Sequence, residues 1–316
     1  MKKQTIICIL TGVLITNLLH AQQEPMYGQY IFNNSVISPA HAGAGEFNQW
    51  GVLARFQFLG IPEAPRTNTA YANLKLPNQL GLAIGIYQDR LGIEENLQFQ
   101  SDLAYHARLS ERWRLSGGIR LLLANNRLDF LRLEHLQPND PYFANNVSSG
   151  VMMNVGAGLL LSSQRSFVGA ALPRVFKNEF QVYNPGNYSF TKQHVRHLFL
   201  YGGTNVDFME QFTFIPSALF KYAIDAPVQL DLNLVFSYRE VFDFGPVARS
   251  NLDKGFLDAL GFMVGLRLGE NWYFGYMYEY PTNDLNLVTR QTHELSIRFL
   301  WGERKDEQIR SPRYFL

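Results

Sequence analysis

The stretch Glu95-Asn96-Leu97-Gln98-Phe99-Gln100-Ser101-Asp102-Leu103-Ala104-Tyr105-His106-Ala107-Arg108-Leu109 alternates apolar and polar side chains along nearly its whole length. Leu97, Phe99, Leu103, Tyr105, Ala107 and Leu109 share one face, and Gln98, Gln100, Asp102, His106 and Arg108 share the other. A period of two is the signature of a β-strand. After a three-residue turn, Ser110-Glu111-Arg112, the pattern resumes with Trp113, Leu115, Ile119, Leu121 and Leu123 against Arg114, Ser116, Gly118 and Arg120. This hairpin repeats along the chain. Fourteen strands are expected, at 49–58, 66–75, 79–88, 96–109, 113–126, 149–162, 166–173, 193–205, 211–221, 228–237, 241–249, 257–268, 271–280 and 292–301.

The first 21 residues read as a secretory leader: Lys2 and Lys3, an apolar stretch Thr5–Leu19, and a cleavage site at Leu19-His20-Ala21. The only cysteine, Cys8, lies inside it, so the processed chain would hold no disulfide and no lipid-bearing thiol. Without the leader, 26 basic residues face 27 acidic ones, and the excess of positive charge that marks a nucleic-acid partner is absent. The longest later apolar runs, Leu80–Tyr87 and Ala259–Leu266, fall far short of the roughly 20 residues of a membrane helix. A membrane crossing would therefore need a closed barrel, in which every backbone donor and acceptor in lipid is paired.

Connection lengths distinguish a barrel from a secreted β-sandwich. Every second connection is short: Leu76–Asn78, Ser110–Arg112, Ser163–Arg165, Val206–Glu210, Tyr238–Glu240 and Gly269–Glu270. The others include Arg127–Ser148, Arg174–Lys192 and Pro281–Gln291. Outer-membrane barrels have short periplasmic turns, longer outer loops and an even strand count. The expectation is an all-β protein, a transmembrane antiparallel β-barrel of about 14 strands over residues 48–301, in outer-membrane lipid. Residues 22–47 would precede it and 302–316 follow it, both on the periplasmic side. Gly81, Ala83, Gly85, Gly156, Gly158, Gly261 and Gly265 crowd the non-lipid faces, leaving room for an open lumen or for a segment folded into it.

No serine-hydrolase, zinc, redox or nucleotide motif is present, and no cofactor or metal is implied. His293-Glu294 are adjacent, so in a strand their side chains point to opposite faces. Gln98, Gln100, Asp102, His106, Arg108 and Arg120 share the inward parity and read as a hydrogen-bonded lumen network.

The chain also resembles a known family. Gln22-Gln23-Glu24-Pro25-Met26-Tyr27-Gly28-Gln29-Tyr30-Ile31-Phe32-Asn33-Asn34, running into Ser38-Pro39-Ala40-His41-Ala42-Gly43, is similar to the opening of PorP/SprF proteins of the Bacteroidetes type IX secretion system. Arg55-Phe56-Gln57-Phe58-Leu59-Gly60-Ile61 and Ala64-Pro65-Arg66-Thr67 resemble the family's RxQWxGxxGAPxT segment, with Phe58 in place of tryptophan and Glu63 in place of glycine. Gly275-Tyr276-Met277-Tyr278-Glu279-Tyr280 and Thr292-His293-Glu294 resemble GYxYDY and GSHE, and Ser311-Pro312-Arg313-Tyr314-Phe315 also looks familial.

The resemblance implies a non-enzymatic component of secretion and gliding machinery. Its expected partners are secreted adhesins or their C-terminal signals and other secretion-system components. A passive porin and a barrel enzyme are the rival readings. Because strand fourteen must pair with strand one, Arg55, Pro65, Arg66, Thr67, His293 and Glu294 should converge on one seam of the rim, with Arg55 or Arg66 meeting Glu294. That seam would be either a closure latch or a cargo contact. Pro39, Ala40, Gly43, Pro312, Arg313, Tyr314 and Phe315 are candidates for periplasmic contact.

Overall fold

The computed structural model describes residues 27–132, 146–177, 179–183, 189–193, 196–224, 226–253, 256–289 and 291–302. The leader and the C-terminal tail, with Pro312, Arg313, Tyr314 and Phe315, lie outside the described residues.

A closed antiparallel barrel of 14 strands forms the wall. Seven of them are β1 (Asn48–Phe56), β2 (Arg66–Lys75), β3 (Leu80–Leu91), β4 (Glu94–Arg108), β5 (Arg114–Leu128), β6 (Val147–Ser162) and β7 (Ser166–Leu172). A separate hairpin follows, β8 (Glu179–Tyr183) with β9 (Ser189–Gln193), inside the connection expected to be loop alone. The wall resumes with β10 (His197–Thr204), β11 (Val206–Met209), β12 (Phe212–Ala223), β13 (Gln229–Tyr238), β14 (Phe242–Asn251), β15 (Phe256–Leu268), β16 (Trp272–Pro281) and β17 (Thr292–Trp301). β10 and β11 are one wall strand, since both pair β12 in the same register as far as Asp207, where it shifts before Met209. The residues opposite Ile215 and Pro216 fall between the Gly203–Ser217 and Val206–Phe214 rungs, and a proline has no N–H to give. The strand therefore runs past the turn expected at Val206–Glu210. β1 pairs β17 from Asn48–Trp301 to Phe56–His293, which closes the wall.

Parity along each strand divides lipid from lumen. On β4, Leu97, Phe99, Leu103 and Tyr105 are exposed on the outside, whereas Gln98, Gln100, Asp102 and His106 are buried inside. Ile119 on β5 and Leu159 on β6 continue the outer apolar band, at 64% and 58% exposure. Among the described residues no helix is long and apolar enough to cross a membrane.

The lumen is filled. Residues 27–45 fold through it as three short 3₁₀ turns, Gly28–Phe32, Asn34–Val36 and Pro39–His41. Ser38 caps the third, its Oγ accepting from Ala40 N at 3.3 Å, with Pro39 in the first helical position. Tyr30, Ile31, Phe32, Ile37 and Ala40 join one apolar core with Leu160, Phe167, Phe199, Ile215, Leu219, Val235, Val247, Met263 and Met277 of the wall. The inward glycines make room for this. A Cβ on Gly81 would overlap the Ala42 carbonyl, and one on Gly118 or Gly158 would strike the Ser38–Ala40 backbone or side chains. Pro39, Ala40 and Gly43, expected on the periplasmic side, are instead plug residues inside the barrel. Gly81, Gly118, Gly158 and Asn73 line their path, and the small inward residues leave room for plug backbone.

Candidate functional site

The plug meets the wall at two polar clusters. The upper one grows from the closing seam. Register places Arg55 of β1 opposite Glu294 of β17, both inward, and they form a buried ion pair. Arg55 Nη2 also reaches Glu279 of β16 at 3.2 Å. Glu279 accepts from Arg249 Nη1 of β14 at 3.2 Å, Arg249 Nε donates to Asp231 of β13 at 3.1 Å, and Lys221 Nζ of β12 donates to Asp231 at 2.8 Å. Ala259 and Gly261 hold the inward positions of β15 between Arg249 and Glu279, and small residues there let the guanidinium span a strand. Cation and anion alternate along the ladder, which offsets the desolvation that makes a lone buried charge expensive.

Glu294 does more than close the seam. Its carboxylate accepts the backbone N–H of Gly28 at 2.8 Å and of Gln29 at 3.1 Å. Asn233 Nδ2 donates to the Gly28 carbonyl at 3.2 Å, and the Tyr27 hydroxyl bonds Thr69. Further down β17, Ser296 Oγ donates to Gln29 Oε1 at 2.8 Å and Arg298 Nη1 to the Phe32 carbonyl at 3.2 Å. The Arg298 guanidinium also lies over the rings of Phe32 and Tyr273, at 4.5 and 4.0 Å from their centroids.

The second cluster lies on β2 to β5. Arg120 grips Asp102 bidentately, Nε to Oδ1 at 2.8 Å and Nη2 to Oδ2 at 2.9 Å, and its outer N–H groups donate to the carbonyls of Ser35 and Val36. Gln100 Nε2 donates to Asp102 at 2.8 Å and to the Ser35 carbonyl at 3.2 Å. His106 binds Ser116 Oγ through Nδ1 at 2.7 Å and faces the Ala42 carbonyl through Nε2 at 2.8 Å. Asn73 brackets the lower end, accepting from Gly43 N and donating to the His41 carbonyl. Most of these contacts read plug backbone, not plug side chains.

Comparison with known families adds a decisive match. The family described as "Type IX secretion system membrane protein PorP/SprF" matches residues 19–299. The chain belongs to the PorP/SprF family. Comparison with curated proteins finds no match. Among solved structures, the CymD monoaromatic hydrocarbon channel is similar at a TM-score of 0.51 and 11% identity, covering 89% of this chain and 94% of that one. The Ralstonia pickettii toluene transporter TbuX is similar at 0.50 and 10%, covering 86% and 92%. At such identities the likeness is one of fold.

The segments that resemble PorP/SprF motifs divide by face. Arg55, Thr67 and Glu294 point inward and are buried, with Thr67 Oγ1 donating to Asp89 at 2.6 Å. Arg66 does not join Glu294. It pairs with Phe56, one residue out of phase with Arg55, and a single step along a strand reverses the face. His293 likewise points outward, accepting from or donating to the Tyr276 hydroxyl at 2.8 Å and edge-on to Tyr278. Pro65 lies in the β1–β2 loop, its carbonyl accepting from Gln57 N.

In the expected lumen network, Gln98, Gln100, Asp102, His106 and Arg120 are buried, and Gln98 Oε1 accepts from Arg174 Nη2 at 3.0 Å. Arg108 has the right parity but lies exposed at the short-turn mouth, below the plug, with Nε 3.4 Å from the Ser110 carbonyl. Sequence reasoning missed Lys221, Arg249, Glu279 and Arg298. Each is a charged residue at an inward position of a strand whose outward positions are mostly apolar, and that parity was the available signal.

Proposed function

We propose that this family member acts as a plugged outer-membrane scaffold of type IX secretion, engaging secreted surface proteins or their C-terminal signals through its outer loops. The observation that carries this reading is the filled lumen. Tyr27, Ile31, Ile37 and Ala40 are at most 2% exposed; Ile31, Ile37 and Ala40 share a core with the wall, and Tyr27 packs on Leu53 and Tyr87. A barrel packed in this way does its work on its surfaces, which disfavours the passive-porin alternative. A hydrolytic reading draws little support, because Asp102 is committed to Arg120 and the His106–Ser116 pair lies beneath the plug.

Cargo contact falls to the exposed part of the rim, including Arg66 and the β1–β2 loop. Arg55 and Glu294 instead serve as a latch for the plug. Secretion-system components would meet the short-turn face and the tail. Gentle affinity purification from the native membrane tests the proposal. Recovery of the C-terminal domain of a large secreted protein supports it. Its absence, together with normal surface display of such proteins in a deletion strain, overturns it.

A further inference from the structure

We infer that the chain crosses the membrane inside its own barrel, entering the lumen at the long-loop mouth, so that the amino end of the plug and the end of β17 face opposite sides of the membrane. The direction of the plug carries this. Tyr27 lies near the long-loop end, packed with Leu53 and Tyr87 and bonded to Thr69, three residues from the start of β2. Ser35 and Val36 lie midway, at Arg120. Ala42 and Gly43 lie near the short-turn end, at Gly81, His106 and Asn73. Glu46 then offers its carbonyl to Lys75 Nζ at 3.2 Å, and β1 starts at Asn48 on that end. Chain direction through the lumen is thus from long loops to short turns.

The space beneath Tyr27 is taken by the plug itself, whose residues are buried throughout Tyr27–Asn34. The rim is about three residues above Thr69, roughly 10 Å along the strand. The tail starts on the other side. Trp301, the last residue of β17, pairs with Asn48 at the short-turn end. This inference does not depend on what the barrel binds.

Single cysteines report the two sides, because the sole native cysteine, Cys8, lies in the leader. Gln23→Cys and Gln308→Cys are exposed to a membrane-impermeant maleimide in intact and in outer-membrane-permeabilised cells, with Glu111→Cys in the β4–β5 turn as a second marker of the tail's side. Folding is checked for each by the gel mobility of the unheated barrel, and Glu24→Cys replaces Gln23→Cys if the latter fails to fold. The upstream cysteine is expected to react in intact cells, and the other two only after permeabilisation. Reaction of the upstream cysteine only after permeabilisation, or only after denaturation, overturns the inference.

Discussion

Two walls of the same lumen hold the plug by different means. Strands β2 to β5 and β17 present Asn73, Gln100, His106, Arg120, Glu294 and Arg298, which grip backbone carbonyls and N–H groups, with Asp102 holding Arg120 in place. From β6 round to β16 the inward positions include Leu160, Phe199, Ile215, Leu219, Val235, Val247, Met263 and Met277, which bury plug side chains. The polar wall sets where each plug residue sits, since hydrogen bonds are directional. The apolar wall supplies attraction without direction, in proportion to area removed from water. Register comes chiefly from one side and adhesion from the other, the exception being Asn233 of β13, which donates to the Gly28 carbonyl.

The sharpest break in this division is to remove the plug. Deleting residues 27–45 leaves the apolar wall facing water and the ion ladder without its Gly28 and Gln29 donors. Folded barrel should fall to a small fraction of the wild-type yield, read by gel mobility of unheated samples. Whatever folds should conduct ions in planar bilayers, whereas the intact protein should not. A conducting wild type would sink the scaffold reading.

Next in size is the latch. Glu294→Ala leaves the buried Arg55 guanidinium to share Glu279 with Arg249 and leaves two plug N–H groups without this acceptor. The expected cost is about 3–5 kcal/mol, read as a lowered denaturation midpoint in detergent. On the opposite wall, Leu219→Ala removes a fully buried side chain and should cost about 2–5 kcal/mol through the cavity it leaves. The two losses should differ in kind. Loss of the latch should release the amino end of the plug to protease. The cavity should lower stability while the plug stays protected.

Much of this was legible in the sequence, and the illegible part has a physical reason. A period of two reports which face of a strand a residue occupies, so Gln98, Asp102, His106 and Arg120 could be placed inside from Glu95–Leu109 and its partner alone. Closure followed from the strand count, which brought Arg55 to Glu294. The plug escaped because Tyr27–Ala44 has neither the helical nor the strand period, and because the wall recognises its backbone, which every sequence shares. A hint did exist. Ala259–Leu266 is apolar on both faces, as strands are when both sides are dry. One of those faces meets lipid, so the other required something apolar within the lumen. Arg66 was misplaced by a single step of register that only the observed pairing with Phe56 could fix.

The smallest effects test the parity itself, at two adjacent glycines. A Cβ on Gly118 would overlap the Pro39–Ala40 backbone, whereas one on Gly117 would meet only Leu159 Cδ2 at 3.8 Å. Gly118→Ala must therefore push the third plug turn away from β5, at a cost of about 1–3 kcal/mol for an overpacked interior. Gly117→Ala adds a methyl to the outer apolar band and should change stability by no more than about 0.5 kcal/mol. Thermal midpoints in detergent separate the two. If both variants behave alike, either the plug yields freely or β5 is rotated from the observed register, and the division between a positioning wall and an adhesive wall fails at its best-defined contact. If only Gly118→Ala loses stability, the polar wall depends on close backbone approach as well as on its hydrogen bonds, because the displacement that relieves the overlap with Pro39–Ala40 must be carried along the turn to Ala42, whose carbonyl His106 holds at 2.8 Å.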